Sequence, residues 1–284
     1  MTEGDPLPPG TGSPSFRRMA TVALSLSGVA ACATFIAVGS WTGLFPIPPG
    51  DSLIWDRVGD GLRAGDAIYY EAVPLTDSFW YAPPWAVAFG AVTWLPVEVL
   101  HGLLVVVKIL CLRIIAGSWL GAGIVAWVPL VAFDIASGSF NLLMAAAIVA
   151  AVRGRPELAI IAALAKFGPI LAIDPRQWRP ALAILVLAGL TTIPWLSLWP
   201  AWISHLAANV GSELGPQIPV PFALRLALAV LLLLVRTAWA RALAATLAIP
   251  ALYWGSLVVF LAPIAVFVRE RLPSTRPNAV LAPV

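Results

Sequence analysis

Runs of apolar residues about 20 long recur along this chain, the length a helix needs to cross a ~30 Å hydrocarbon core. They dominate what it can fold into. Charged residues make up only 11% of its 284 positions and mean hydropathy is +0.91. A soluble domain carries about 25% charged residues, so this chain cannot coat itself with a water-compatible surface. The expected fold is all-α, a polytopic transmembrane helical bundle of about eight or nine spans, some short or re-entrant. Its first partner is the lipid bilayer. The net charge of +3 arises from arginine clusters at span ends, and no nucleic-acid partner is implied. Cys32 and Cys111 both lie in apolar runs without metal-ligand spacing, so neither a disulfide framework nor a metal or other cofactor is expected.

Charge placement gives a provisional topology. Residues 1–18 read as a cytoplasmic tail, rich in Pro, Gly and Ser and disordered, closing on Arg17 and Arg18. The run Met19–Phe45 is too long for a signal-peptide core and is taken as the first span. The arginines hold its start inside, which puts the loop 46–83 outside. Trp85–Val107 forms the next span, Lys108 and Arg113 mark a cytoplasmic return, and Ile114–Phe133 crosses outward to a short external turn, Asp134–Asn141. Leu142–Val152 returns to Arg153 and Arg155. Keeping Arg176 and Arg179 inside then requires Leu158–Ile173 to be a re-entrant pair turning at Lys166-Phe167-Gly168-Pro169. Ala181–Leu198 crosses outward, Trp199–Pro221 is an external loop, and Phe222–Val235 returns. The last run, Ala242–Val268, breaks at Ile249-Pro250, with its tip at Tyr253-Trp254-Gly255. The transmembrane domain is thus 19–268 and a second cytoplasmic tail is 269–284.

One stretch stands apart. Pro48–Pro84 holds six of the fourteen acidic residues, Asp51, Asp56, Asp60, Asp66, Glu71 and Asp77, against two arginines. Composition alone makes it an acidic external loop. Its spacing carries more. Asp51 follows the first span, with Trp55 four residues on, then Gly65, Tyr69 and the element Phe79-Trp80-Tyr81-Ala82-Pro83-Pro84. Later come Gly138-Ser139-Phe140-Asn141 and Lys166-Phe167-Gly168-Pro169.

In this order the features resemble the family 87 polyprenol-phosphate-sugar-dependent integral membrane glycosyltransferases, which have the GT-C fold. The resemblance covers roughly Ser40–Pro180. Trp55 stands where a Tyr is commoner in the family and Ser139 where a Gln is, and the chain is shorter than many members. The resemblance implies a GT-C-like bundle and an inverting hexosyl transfer, with mannose favoured. The donor would be a polyprenyl-phosphate sugar and the acceptor a glycolipid or glycan. It also implies Asp51 as general base, without a metal. The matching setting is the extracytoplasmic side of a bacterial cell membrane. The strong bias of Arg over Lys, with Lys108 and Lys166 the only lysines, agrees with a GC-rich bacterial genome.

The residues themselves leave several roles open. Asp51 is ionised at neutral pH and needs no special environment to act as a base; it also suits a helix start. Asp56 and Asp60, four apart, share a face if that part of the loop is helical, and either pair with Arg57 and Arg63 or stay solvated. Lys166 lies in an apolar stretch, where an ionisable group is costly and functional by default, unless its stem snorkels to an interface. Arg225 is a second cation for a leaving phosphate. Tyr69 and Tyr81 offer faces to a sugar ring or pack the loop onto the bundle, as do Phe79 and Trp85. Asn141 either caps a helix or touches substrate. His205, beside Trp199 and Trp202, meets the sugar or phosphate, or lies in an interfacial aromatic belt. Pro83-Pro84 suits the first turn of a helix. Two other classes fit the same composition: a small transporter or flippase, and a non-catalytic accessory protein.

Overall fold

Proline and glycine punctuate the helices. The computed structural model describes residues 14–45, 50–70, 78–208, 218–250 and 252–271, and the regular structure among them is helical. The α-helices are α1 (Pro14–Trp41), α2 (Gly50–Ala64), α3 (Pro83–Val92), α4 (Val97–Ala116), α5 (Trp119–Val125), α6 (Pro129–Ser137), α7 (Asn141–Val152) and α8 (Pro156–Ala163). They continue as α9 (Trp178–Thr191), α10 (Leu198–Ala208), α11 (Phe222–Leu233), α12 (Ala238–Leu247) and α13 (Leu261–Arg271). Short 3₁₀ segments lie at Gly168–Ala172, Pro175–Gln177, Ile193–Trp195 and Trp254–Phe260. Pro83-Pro84 opens α3 as expected, because a fixed φ and a missing N–H cost nothing in a first helical turn. Gly117 and Gly138 end α4 and α6 in the left-handed conformation, φ +79° and +80°.

The core is built around α7. Its sequence, NLLMAAAIVAAV, is apolar on every face, and ten of its twelve residues are buried. The alanines let α4, α8, α12 and α13 approach closely, and Ile148, Val149, Val258, Val259 and Ile249 fill the space between them. Outside, α1 exposes Leu26, Val29 and Trp41 and contacts its neighbours along one line. There Gly28 meets Gly123 of α5 so tightly that a β-carbon at either position would overlap the other helix, and Trp127 Nε1 donates to the Leu24 carbonyl. Both cysteines are free and buried.

Among the described residues, Ser15–Trp41 and α4 are long and apolar enough to cross a membrane, and α5 with α6 passes as a pair bent by 94°. α3, α7 and α11 are apolar but shorter. The expected boundaries change accordingly. Helix α1 begins at Pro14, so Arg17 and Arg18 ride its first turns rather than closing a disordered tail; residues 1–13 and 272–284, most of the two tails, lie outside the described residues. The expected span Trp85–Val107 is two helices divided at Pro96, whose missing N–H suits the start of α4. Lys108 marks no return, because α4 runs through it to Ala116 and it is fully buried. Ile114–Phe133 is not one continuous helix but the end of α4, then α5 and part of α6, the last two bent by 94° to each other. Asp134 is not in an external turn: it is buried in α6. The expected loop 199–221 contains most of α10, with 209–217 outside the described residues. Both expected breaks are present, after Ala163 and after Leu247.

Candidate functional site

Helix α2 gives the acidic loop its structure. Asp51 lies in its first turn, where the positive end of the helix dipole favours a carboxylate. One turn later the buried Trp55 stacks on Phe89 of α3, centroids 5.3 Å apart, and packs on Phe140 at 4.8 Å. Tyr81 stacks on Phe140 at 5.4 Å, and Tyr69 Oη donates to the Tyr81 carbonyl at 2.9 Å. This aromatic block fastens α2 to the starts of α3 and α7. The Ala82 N–H donates to the Leu164 carbonyl at 2.9 Å, tying Tyr81 to the chain two residues before Lys166.

A polar network crosses the block's inner side. The Lys108 ammonium faces Asp134 Oδ2 at 3.5 Å and donates to the Asp134 carbonyl, with both side chains fully buried. Ser139 Oγ donates to Asp134 Oδ1, and the Leu142 N–H donates to Oδ2 at 3.2 Å, so Asp134 holds the N-terminus of α7. Asn141 Nδ2 donates to Ser139 Oγ at 2.9 Å, and its Oδ1 accepts from Lys166 Nζ at 3.3 Å. Asn141 does not cap α7 with its side chain. It is a link in a chain running from Lys108 to Lys166.

Lys166 stands just past α8, at a break with a steric cause. A β-carbon at Gly168 would strike the Ala245 carbonyl of α12 and Ile249 just beyond it, so the chain passes there without side-chain volume. Lys166 as a residue is half-buried, and its ammonium lies 5.2 Å from the centre of the Tyr253 ring. The Asp51 charge acts on Tyr81, Lys108, Lys166 and Tyr253, and the Asp134 charge on Tyr81, Lys108 and Lys166. Two carboxylates, two ammonium groups and two phenols therefore form one electrostatic unit.

Of the residues singled out from sequence, Asp51, Tyr81, Asn141 and Lys166 come together. Tyr69 touches the group through the Tyr81 backbone and spends its hydroxyl there. His205 lies beside it: buried on α10, its ring is 4.6 Å from Trp80 and 6.2 Å from Tyr69, while Trp202 Nε1 donates to the Trp80 carbonyl at 3.1 Å. Arg225 does not join the site. Its guanidinium is buried and donates to the carbonyls of Val220, Leu247, Ile249 and Pro250, which fixes the break after α12 and hence the approach to Tyr253. Trp85 packs on Phe140 and donates to the Ile161 carbonyl.

Burial holds the Tyr81 phenol well above its usual pKa, and the charges of Asp51, Tyr253 and Asp134 add to this. Burial raises Tyr69 too. Both hydroxyls are donors at neutral pH. Asp56 is raised by burial and then by Asp60, with Arg63 opposing. Asp60 pairs with Arg63, as helical spacing allowed. These two aspartates line a separate surface hollow of 490 Å³ with Arg57, Asp66 and Tyr70.

Sequence reasoning missed four members of the network: Lys108, Asp134, Ser139 as a hydrogen-bond link, and Tyr253. The signal for the first two was present, since ionisable residues within apolar runs call for a partner wherever they occur. No family model, curated protein or solved structure matches this chain.

Proposed function

We propose that the protein is a GT-C-like membrane glycosyltransferase. It moves a hexose, mannose favoured, from a polyprenyl-phosphate donor to a glycolipid or glycan acceptor on the outer face of a bacterial membrane. The observation carrying this reading is the Lys166 ammonium, bonded to Asn141 and set against the Tyr253 ring at the break after α8, within the field of Asp51 from the first turn of α2. Those are the two charges the reaction needs on opposite sides of the anomeric carbon. The acceptor hydroxyl oxygen forms the new bond to that carbon and its proton passes to Asp51. The bond to the phosphate oxygen breaks with its electron pair, and Lys166 offsets the charge left on the polyprenyl phosphate. Tyr81 and Tyr253 supply ring faces and hydroxyl donors beside the sugar. Tyr69 and His205 are assigned to the outer rim, toward the acceptor.

The test is the Asp51→Asn variant in purified, reconstituted protein supplied with polyprenyl-phosphate mannose and a membrane glycolipid fraction. A general base contributes roughly 10²–10⁴-fold, so transfer should fall by that factor while thermal unfolding stays unchanged. Transfer at the wild-type rate in Asp51→Asn removes Asp51 as base. Uptake of a labelled solute with no sugar transfer by the unaltered protein removes the enzyme reading in favour of a transporter.

A further inference from the structure

The end of α7 remote from Asn141 holds a second charged cluster, of one sign only. Helix α7 rises about 18 Å over its twelve residues, and just past it stands Arg153. Arg153 Nη1 donates to the Ile114 carbonyl at 3.2 Å. Arg269 of α13 reaches the same carbonyl at 3.5 Å and that of Ile115 at 2.6 Å. Arg113, on the last turn of α4, lies over the exposed Trp119 ring at 5.9 Å and repels Arg153. Three guanidinium groups from three elements thus surround the C-terminus of α4. None of them takes part in an ion pair among the described residues, whereas neighbouring Arg155 pairs with Glu157. The negative end of the α4 dipole compensates part of this charge, but only about half of one unit. A second fact points to an anionic acceptor: Arg269 Nη1 is buried without a hydrogen-bond partner, an arrangement that costs stability unless something accepts from it.

We propose that Arg113, Arg153 and Arg269 form a binding site for the phosphate of an anionic membrane phospholipid. The lipid is favoured over a soluble phosphate by position. Helix α4 is long and apolar enough to span a bilayer, which sets its C-terminus at a bilayer surface, and the exposed Trp119, two residues past Gly117, suits the headgroup level there. Basic pockets between transmembrane helices recognise phosphate headgroups in this way. The planar guanidinium fork matches two phosphate oxygens at once. Because Arg269 and Arg153 already grip α4, a phosphate bridging them would tie α4, α7 and α13 together at the end opposite the reaction site. The inference needs the membrane-spanning role of α4 but not the glycosyltransferase activity.

The experiment is native mass spectrometry of the full-length protein, delipidated in detergent and offered equal amounts of phosphatidylglycerol and phosphatidylcholine. Phosphatidylglycerol should be retained selectively, and its binding should weaken as salt is raised. Arg153→Gln and Arg113→Gln should each weaken it about five-fold, near 1 kcal/mol per arginine at a membrane surface, while Arg155→Gln leaves it unchanged. Arg269→Gln also removes a helix cap, so it is not the deciding variant. Equal retention of both lipids, or unaltered retention in Arg153→Gln, overturns the site. Displacement of the lipid by millimolar inorganic phosphate overturns the choice of lipid and makes this a soluble-anion site.

Discussion

The two lysines of this chain are both embedded among apolar helices, and the structure treats them oppositely. Lys108 has no exposed surface and faces a carboxylate that is itself fully buried. Lys166 is partly open, holds one amide oxygen and one aromatic face, and has no carboxylate within ion-pair distance among the described residues. A cation that is saturated and sealed serves the fold. One that holds fewer acceptors and keeps some accessible surface can meet a ligand's charge. Arg225, with four carbonyl acceptors, belongs with Lys108. Burial among apolar helices does not by itself sort these cations; how many of their donors are already used does.

The largest effect should come from breaking the sealed pair. Lys108→Met leaves the Asp134 carboxyl group buried without its cation, and such truncations cost about 3–5 kcal/mol. Replacing both partners, Lys108→Met with Asp134→Leu, should recover much of this loss, because two desolvated charges disappear together. The recovery stays incomplete, since Asp134 also accepts from Ser139 and Leu142. Chemical unfolding of the purified protein in detergent measures both. If single and double replacements lose the same stability, the pair is not what holds α4 to α6.

Lys166→Met should give the opposite signature. Its contacts are a hydrogen bond of 3.3 Å and a cation–π contact on a partly exposed group, so unfolding should shift by no more than about 1 kcal/mol. Transfer should fall by roughly 10²-fold, the loss typical when one charge-stabilising donor is removed. Chemistry offers a check that needs no activity. With only two lysines in the chain, an amine-reactive label should modify Lys166 and spare Lys108 in the folded protein, and added polyprenyl phosphate should protect Lys166. Equal labelling of the two would erase the distinction.

How much of this was legible beforehand follows from the same contrast. Helicity, the Pro83-Pro84 helix start and the fact of a break within each of the runs 158–173 and 242–268 were readable from local backbone rules. The helices end earlier, at Ala163 and Leu247, than the turns expected at Lys166–Pro169 and Ile249-Pro250. Asn141 and Lys166, taken from two separate motifs, do meet in a hydrogen bond, a contact that neither motif specifies by itself. The span boundaries were not readable. The charge rule takes every charged residue to be at a membrane surface, and Lys108 and Asp134 evade it by neutralising each other inside. A pairing between positions 26 residues apart is a tertiary event. Misplacing Lys108 at the surface then misplaced the spans on either side of it. Tyr253 was visible only as a hairpin tip, since what makes it part of the site is the Arg225 grip on the preceding carbonyls.

Asp174 and Arg241 sharpen the comparison from the other side, being the same kind of pair with solvent access. The separation is 3.1 Å, shorter than the 3.5 Å at Lys108, yet both side chains keep some exposure. The Asp174 carboxyl is held below its usual pKa first by the Arg176 backbone N–H and then by Arg241. A folded-state pKa lowered in this way means that the contribution is present above the unfolded value of about 3.9 and is lost as pH falls through the folded one. Asp174→Asn should therefore be slightly less stable than the unaltered protein at pH 7, and the two should converge as pH falls through the lowered folded-state pKa. Geometry alone would rank this pair above the buried one. Water screening and the freedom of two exposed side chains reverse that order. If Asp174→Asn at pH 7 costs as much as Lys108→Met, burial is not what separates the two kinds of charge in this protein.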